Sequence, residues 1–392
     1  MDRTYLESLN AMDLNERLGS LKSLKHLVDA GSIKFKKPRG FVNNHIHTSY
    51  SFSPYSPSRA VWEAKNAGLL TAGIVDHDSV GGIHEFIQAG KIMGIETTVG
   101  LECRVSMANT PFATRRLNNT DQCGIAYVAM HGIPHHEVER IELFLKPYRD
   151  QRNIRNRKMV ANINDLFGQA FLDFDQDVVP LSMDHDGGSI TERHLMFALA
   201  KKLVVKYGKG APLIDALSND WSIDIQGKSL EWLMDVDSLY YEYDLLSLLK
   251  GAFVGKIYVD AVEECPDVKD FIALSDEVGA ISAYAYLGDV KNSVTGDKAD
   301  AKFEDDYVEE LFTYIKEVGF KAITYMPSRN TKAQLKIVRD LCDRLDFFQV
   351  SGEDINSPRQ SFECEALLDP DYQNLIDATW ALIEHEKKAS HR

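Results

Sequence analysis

The chain has 392 residues, 44% hydrophobic and 26% charged, which is ordinary globular composition with ample length for a large core. A formal net charge of −15 argues against non-specific binding to long nucleic acid, which needs clustered Lys and Arg against phosphate. The opening residues mix both charges without an apolar stretch, no apolar run approaches transmembrane length, and the five cysteines form no C-x-x-C pair, so the expectation is a reduced, cytoplasmic protein with no membrane association.

Residues 1–40 read as an N-terminal helical extension, helical to about residue 35 with Gly31 as its C-cap, after which "KKPRG" breaks the pattern. A rhythm of strands and helices begins at Phe41. "GFVNN" reads as a short strand, and Ser56 with Pro57 opens a helix that Gly68 ends. "LTAGIV" is a strand running to Asp76, "GGIHEFIQAGKIMG" a helix stopped at Gly94, and "IETTVGLE" a strand ending near Glu102. Residues about 110–260 lose the rhythm and read as a mostly helical insertion packed on the barrel, with a substrate-covering lid as the sharper alternative. Within it, "YRDQRNIRNRK" (Arg149 to Lys158) reads as a solvated helix face, or alternatively a nucleotide or RNA contact; His135 and His136 read as surface loop. The rhythm returns with "FKAITYM", a helix opened by Asn330 or Thr331, and "DFFQVSGED". Residues 41–365 are thus the expected barrel and 366–392 a C-terminal helix. Parallel βα units predict an α/β fold, a TIM-like (β/α) barrel.

Four strand ends carry metal-ligating residue types: His45 and His47, then His77 between Asp76 and Asp78, then Glu102, then Glu353, Asp354 and Asn356. Alternate residues of a strand share one side, so His45 and His47 can reach one ion. Strand ends of a barrel converge on one face, where imidazoles and carboxylates suit Zn²⁺, Mn²⁺ or Fe²⁺.

"HIHTSYSFSP", "GIVDHDSVGG", "VGLEC" and "VSGEDINSP", in that order, resemble the PHP (polymerase and histidinol phosphatase) superfamily of metal-dependent phosphoesterases. The resemblance implies a distorted (β/α)7 barrel with up to three divalent metals. It implies metal ligation by His45, His47, Glu102, Asp354 and His77, with His77, Glu102 and Asp354 as the catalytic set. One metal position is complete. At the others, Phe52 stands where the family keeps an aspartate, Asn356 where it keeps a histidine, and Tyr284 where an alanine-histidine-proline motif would fall. His131, Asn356, Tyr284 and Glu353 are the candidate further ligands. Arg193, His194, Arg329 and Arg359 are candidates for holding substrate phosphate. The expected activity is hydrolysis of a small phosphomonoester, nucleotide or short oligonucleotide by metal-activated water. Its alternatives are an amidohydrolase-like C–N or C–O hydrolase and a non-catalytic or regulatory metal- or ligand-binding protein.

Overall fold

A computed structural model describes residues 3–119, 121–289 and 302–390. The outermost residues of the expected extension and C-terminal helix, Thr120 of the insertion, and 290–301 of the barrel lie outside the described residues.

The elements in chain order are α1 (Arg3–Ser8), α2 (Leu14–Asp29), β1 (Val42–Ile46), α3 (Pro57–Asn66), β2 (Thr71–His77), α4 (Ile83–Met93), β3 (Glu96–Ser106) and β4 (Ile125–His131). Then come α5 (Val138–Leu166), α6 (Glu192–Tyr207), α7 (Ala211–Trp221), α8 (Gly227–Met234), α9 (Tyr241–Ile257) and α10 (Val268–Val278). The chain closes with β5 (Ile281–Ala285), α11 (Val308–Val318), β6 (Ala322–Tyr325), α12 (Lys332–Leu345), β7 (Phe348–Ser351) and α13 (Gln373–Ser390).

Helix boundaries follow local chemistry. Ser56 accepts a hydrogen bond from Arg59 N–H at 3.0 Å with Pro57 at the first helical position, and Gly94 ends α4 in the left-handed conformation. The helical segment expected to about residue 35 comprises two helices, since Asp13 caps a new start at α2 through Glu16 N–H, and α2 stops at Asp29 with Gly31 left-handed just beyond it. The opener of α12 is Thr331, in a reciprocal capping box with Gln334.

Seven strands form one sheet in the order β1 to β7. All neighbouring pairs are parallel except those of β4, which runs antiparallel to both β3 and β5. The sheet nearly closes into a barrel. The segment after β7 meets β1 through a parallel bridge between Ile46 and Ile355, with His47 N–H on Ile355 C=O at 3.0 Å and Ile355 N–H on His45 C=O at 3.1 Å. Asn43 stitches the same seam: its amide donates to Glu353 C=O, and its Oδ1 accepts from His45 N–H and Glu353 N–H. Gly352 is what permits this approach, since a Cβ there would lie 2.5 Å from His45 Cβ.

The largest hydrophobic core lies between the sheet and the surrounding helices and takes in Leu9, Leu21 and Leu24 of the N-terminal segment. A second core belongs to the α5–α9 region, from Met159 to Ile257, and Phe52 of the β1–α3 loop is buried in it. Inside the barrel, Ala129, Ala283 and Ala322 sit side by side across β4, β5 and β6, and Leu382 of α13 packs with them. Small side chains there leave room for a helix to close the barrel end.

Candidate metal centre

Register fixes what faces the barrel interior. His77 of β2 lies opposite Glu102 of β3, and Glu102 lies opposite Ala129 of β4. Directly opposed residues share a face, so β3 and β4 present three layers: Gly100 with His131, Glu102 with Ala129, and Arg104 with Tyr127. Ala129 leaves space around the Glu102 carboxylate.

His45, His47 and Glu102 bring their ligand atoms within 4.8 Å of one another. Glu102 Oε2 is 3.6 Å from His45 Nε2, 3.7 Å from His47 Nε2 and 3.1 Å from His77 Nδ1. Asp354 Oδ1, from across the β7–β1 seam, is 3.3 Å from His47 Nε2. The His47 and His77 rings stack with centroids 4.5 Å apart.

Electrostatics agree with a ligand set. Burial alone would raise the Glu102 pKa, but His77, His45 and His47 outweigh it and pull it down to about 2. Burial opposes ionisation of Asp354 too, yet His47, His45 and Arg193 hold it well below the usual carboxylate range. Burial drops His77 to about 3, leaving the neutral imidazole that ligates metals. For His45, burial is outweighed by Glu102 and the pKa rises.

The residues fit a divalent ion. His47 Nε2 is buried and satisfied by no hydrogen bond. Two imidazoles and two carboxylates supply it with borderline and hard donors, and the Asp354 side chain keeps 31% of its exposure, so one side stays open. Asp76 supports this set without joining it. Its carboxylate accepts from Thr48 N–H at 2.6 Å and from the Thr48 and Ser51 hydroxyls at 2.5 and 2.6 Å, while Ser51 Oγ lies 3.3 Å from His47 Nδ1.

The other candidates are placed as follows. His131 lies beneath Glu102, its Nε2 buried without a partner and its pKa lowered to about 3 by burial, then by His45. Asn356 donates to Asp354 Oδ1 at 2.7 Å. Glu353 accepts from Ser328 Oγ. Tyr284 lies opposite Val128, on the outer face of the sheet, and packs against Phe320 in the main core, so the structure does not bring it to the triad. His194 caps its own helix, Nδ1 accepting from Thr191 N–H at 3.0 Å, with its ring edge-on to Phe52 at 5.0 Å. Arg193 acts on Asp354 through its field. Arg329 Nε donates to Leu287 C=O at 3.3 Å. Arg359 is held by Asp244 of α9 in two hydrogen bonds, at 2.6 and 2.8 Å, and lies over Trp232.

One basic stretch differs from its sequence reading. Arg149, Arg152 and Arg155 of α5 are buried rather than solvated. Arg152 pairs with Asp78 and Glu192, Arg155 with Glu192 and Glu264, and Arg104 with Glu192 and Glu264. The three-residue spacing along α5 was the available signal, whereas the carboxylates come from distant parts of the chain. This network adjoins the centre, since Arg104 stands two residues along β3 from Glu102 and Arg152 depresses the His77 pKa.

The PHP domain profile matches residues 43–210. A provisionally assigned metal-dependent phosphoesterase from Bifidobacterium adolescentis has a similar structure, with TM-score 0.56, 16% identity, and coverage of 89% of this chain and 98% of that one. An amidohydrolase from Chromobacterium violaceum, solved with bound sulfate and no metal, gives TM-score 0.54 and 17% identity over 82% of this chain and 89% of that one. At these identities the likeness is one of fold. No curated protein matches the sequence. No helix among the described residues is long and apolar enough to cross a membrane.

Proposed function

The chain is a PHP-domain protein, and we propose that it hydrolyses a phosphate ester of a small molecule with a divalent metal held by His45, His47, Glu102 and Asp354. The observation that carries this reading is the convergence of those four side chains from β1, β3 and the segment after β7 around an unsatisfied, buried His47 Nε2; Glu102 does so from within β3, which runs on to Ser106 rather than ending near Glu102 as expected.

When bound, a divalent ion supplies Lewis acidity toward a phosphoryl oxygen and lowers the pKa of a coordinated water. The chain's own residues do the rest. Glu102, kept anionic, faces the imidazoles of β1 and lies within hydrogen-bond reach of His77 Nδ1 on β2. Neutral His77, with Nδ1 turned to Glu102, either ligates a second ion or exchanges a proton with the reacting oxygens through Nε2. Arg193, whose field reaches Asp354, brings positive charge close to the site, which favours a phosphorylated substrate despite the acidic chain. The assignments of the two structural neighbours, a provisional metal-dependent phosphoesterase and an amidohydrolase, support a hydrolase on this fold.

The test is phosphate release from a panel of phosphomonoesters and short oligonucleotides by protein loaded with Mn²⁺, Zn²⁺ or Fe²⁺, beside an amide panel. Phosphate release that disappears in His47→Ala together with the metal supports the reading. Turnover of amides alone replaces it with the amidohydrolase alternative, and a metal retained at full stoichiometry in His45→Ala/His47→Ala refutes the site.

A further inference from the structure

A groove of about 440 Å³ runs along the seam between the barrel and the α8–α9 region. That volume is of the size small ligands occupy. Its walls come from three parts of the chain: Tyr55 in the loop before α3, Tyr240 and Tyr243 at the start of α9, and Phe362 after β7. Lys36 stands at the groove with its side chain 66% exposed, only 3.6 Å from Glu363 and so loosely paired. Tyr55 and Phe362 meet edge to face at 5.5 Å. Aromatic side chains beside the exposed, loosely paired Lys36 ammonium suit a flat ring bearing an anionic group.

The groove is wired to the metal centre. Gln360, which also lines it, accepts through Oε1 from Asn356 N–H and Ser357 N–H, both at 2.7 Å. Asn356 in turn donates to Asp354 Oδ1, 3.3 Å from His47 Nε2. On the other wall, Tyr243 lies 6.1 Å from Phe52, in the loop that leaves β1 just past His45 and His47.

We propose that this groove is a second ligand site, for a planar aromatic small molecule carrying a carboxylate or phosphate, and that its occupancy is felt at the metal centre through Gln360, Asn356 and Asp354. The coupling half rests on Asp354 ligating the metal; the binding half stands without it.

Calorimetric titration of the full chain with indole-3-carboxylate, against cyclohexanecarboxylate as the non-aromatic control, tests binding. The aromatic acid is expected to bind about three- to tenfold more tightly than the control, and Tyr240→Ala to weaken it by a similar factor. Lys36→Glu, at an exposed position that folding tolerates, is expected to weaken it several-fold and to flatten its salt dependence. With both proteins stripped of metal, His45→Ala should bind the two acids as the wild type does, which separates the groove from the metal centre. Equal affinity for the two acids, or indifference to both Tyr240→Ala and Lys36→Glu, overturns the site. For the coupling, saturating indole-3-carboxylate should shift the visible absorption of the Co²⁺-loaded protein, and Gln360→Ala should abolish the shift. An unshifted spectrum with the ligand bound overturns the coupling. Failure to hold Co²⁺ at all instead refutes the metal centre, and leaves the binding result intact.

Discussion

Replacing Glu192 with Gln should destabilise the protein more than any single surface-charge change. The carboxylate serves three guanidiniums at once: Arg155 Nη1 at 2.7 Å, Arg152 Nη2 at 3.2 Å and Arg104 Nη1 at 3.6 Å. Those arginine side chains are only 4–5% exposed. With Asp78 and Glu264 the network balances three cations against three anions, and the substitution leaves one cation uncompensated among nearly buried side chains. Removing one partner of a buried pair costs about 3–5 kcal/mol, a large part of the roughly 5–15 kcal/mol that holds a domain folded. Urea denaturation followed by circular dichroism measures the loss. The double variant Glu192→Gln/Arg155→Met restores the balance and should recover part of it. Burial works against ionisation of Glu192, but Arg104, Arg152 and Arg155 hold its pKa well below the ordinary value. Its stabilisation is therefore fully present above the unfolded pKa of about 4.3 and fades as pH falls, so wild type and variant should converge in acid. A loss under about 1 kcal/mol at pH 7, or a double variant weaker than the single one, would refute the reasoning.

Three further outcomes are expected. Asp76→Asn, which disturbs the Thr48 and Ser51 hydroxyls behind His47, should weaken metal binding about 10- to 100-fold in a chelator competition without removing a ligand. Phe52 has a φ of +121° although it carries a buried side chain, so Phe52→Gly should be about 1 kcal/mol more stable than Phe52→Ala in thermal unfolding, the reverse of ordinary truncation order. Glu304 is fully buried and its pKa is pushed up to about 7 by burial, against the N–H groups of Leu287 and Gly288 that hold it down. The unfolded chain gives up this proton first, so stability falls as pH rises from about 4.3 to 7. Glu304→Gln should remove about 3 kcal/mol of that slope in denaturant titrations across the range.

The clustering of the candidate ligands was legible because its grammar is local. His45 and His47 alternate on one strand, and Glu102 and Asp354 each follow an apolar run, so strand periodicity alone brings them to one rim. The same periodicity explains why the stretch around His77 was only partly legible: His77 points inward, whereas Asp76 turns to the Thr48 loop and Asp78 to Arg152. Tyr284 shows the limit of reading by motif position, since its parity along β5 sends it to the outer face. The arginines of α5 were misread because burial depends on partners such as Glu264, whose distance along the chain hides them. β4 itself was missed, since Ile125–His131 lies inside the stretch read as a helical insertion, and only its pairing with β3 and β5 marks it as a barrel strand.

That reversed strand has a consequence for the architecture above the site. A parallel β4 would deliver the chain to the rim that carries the candidate ligands, but this one begins at the rim and descends, so the polypeptide leaves it at the opposite end, where His135 meets Glu386 of α13. The next element must travel the full height of the barrel merely to return. At 1.5 Å per residue, the 29 residues of α5 span roughly 43 Å, nearly twice the ~23 Å length of seven-residue β2. Its first half is a mast, reaching the rim where Arg149 donates to Asp78 C=O. Its second half is a boom, projecting past the rim and carrying the second core with it. The orientation of one strand therefore dictates both the length of a helix and the existence of a roof.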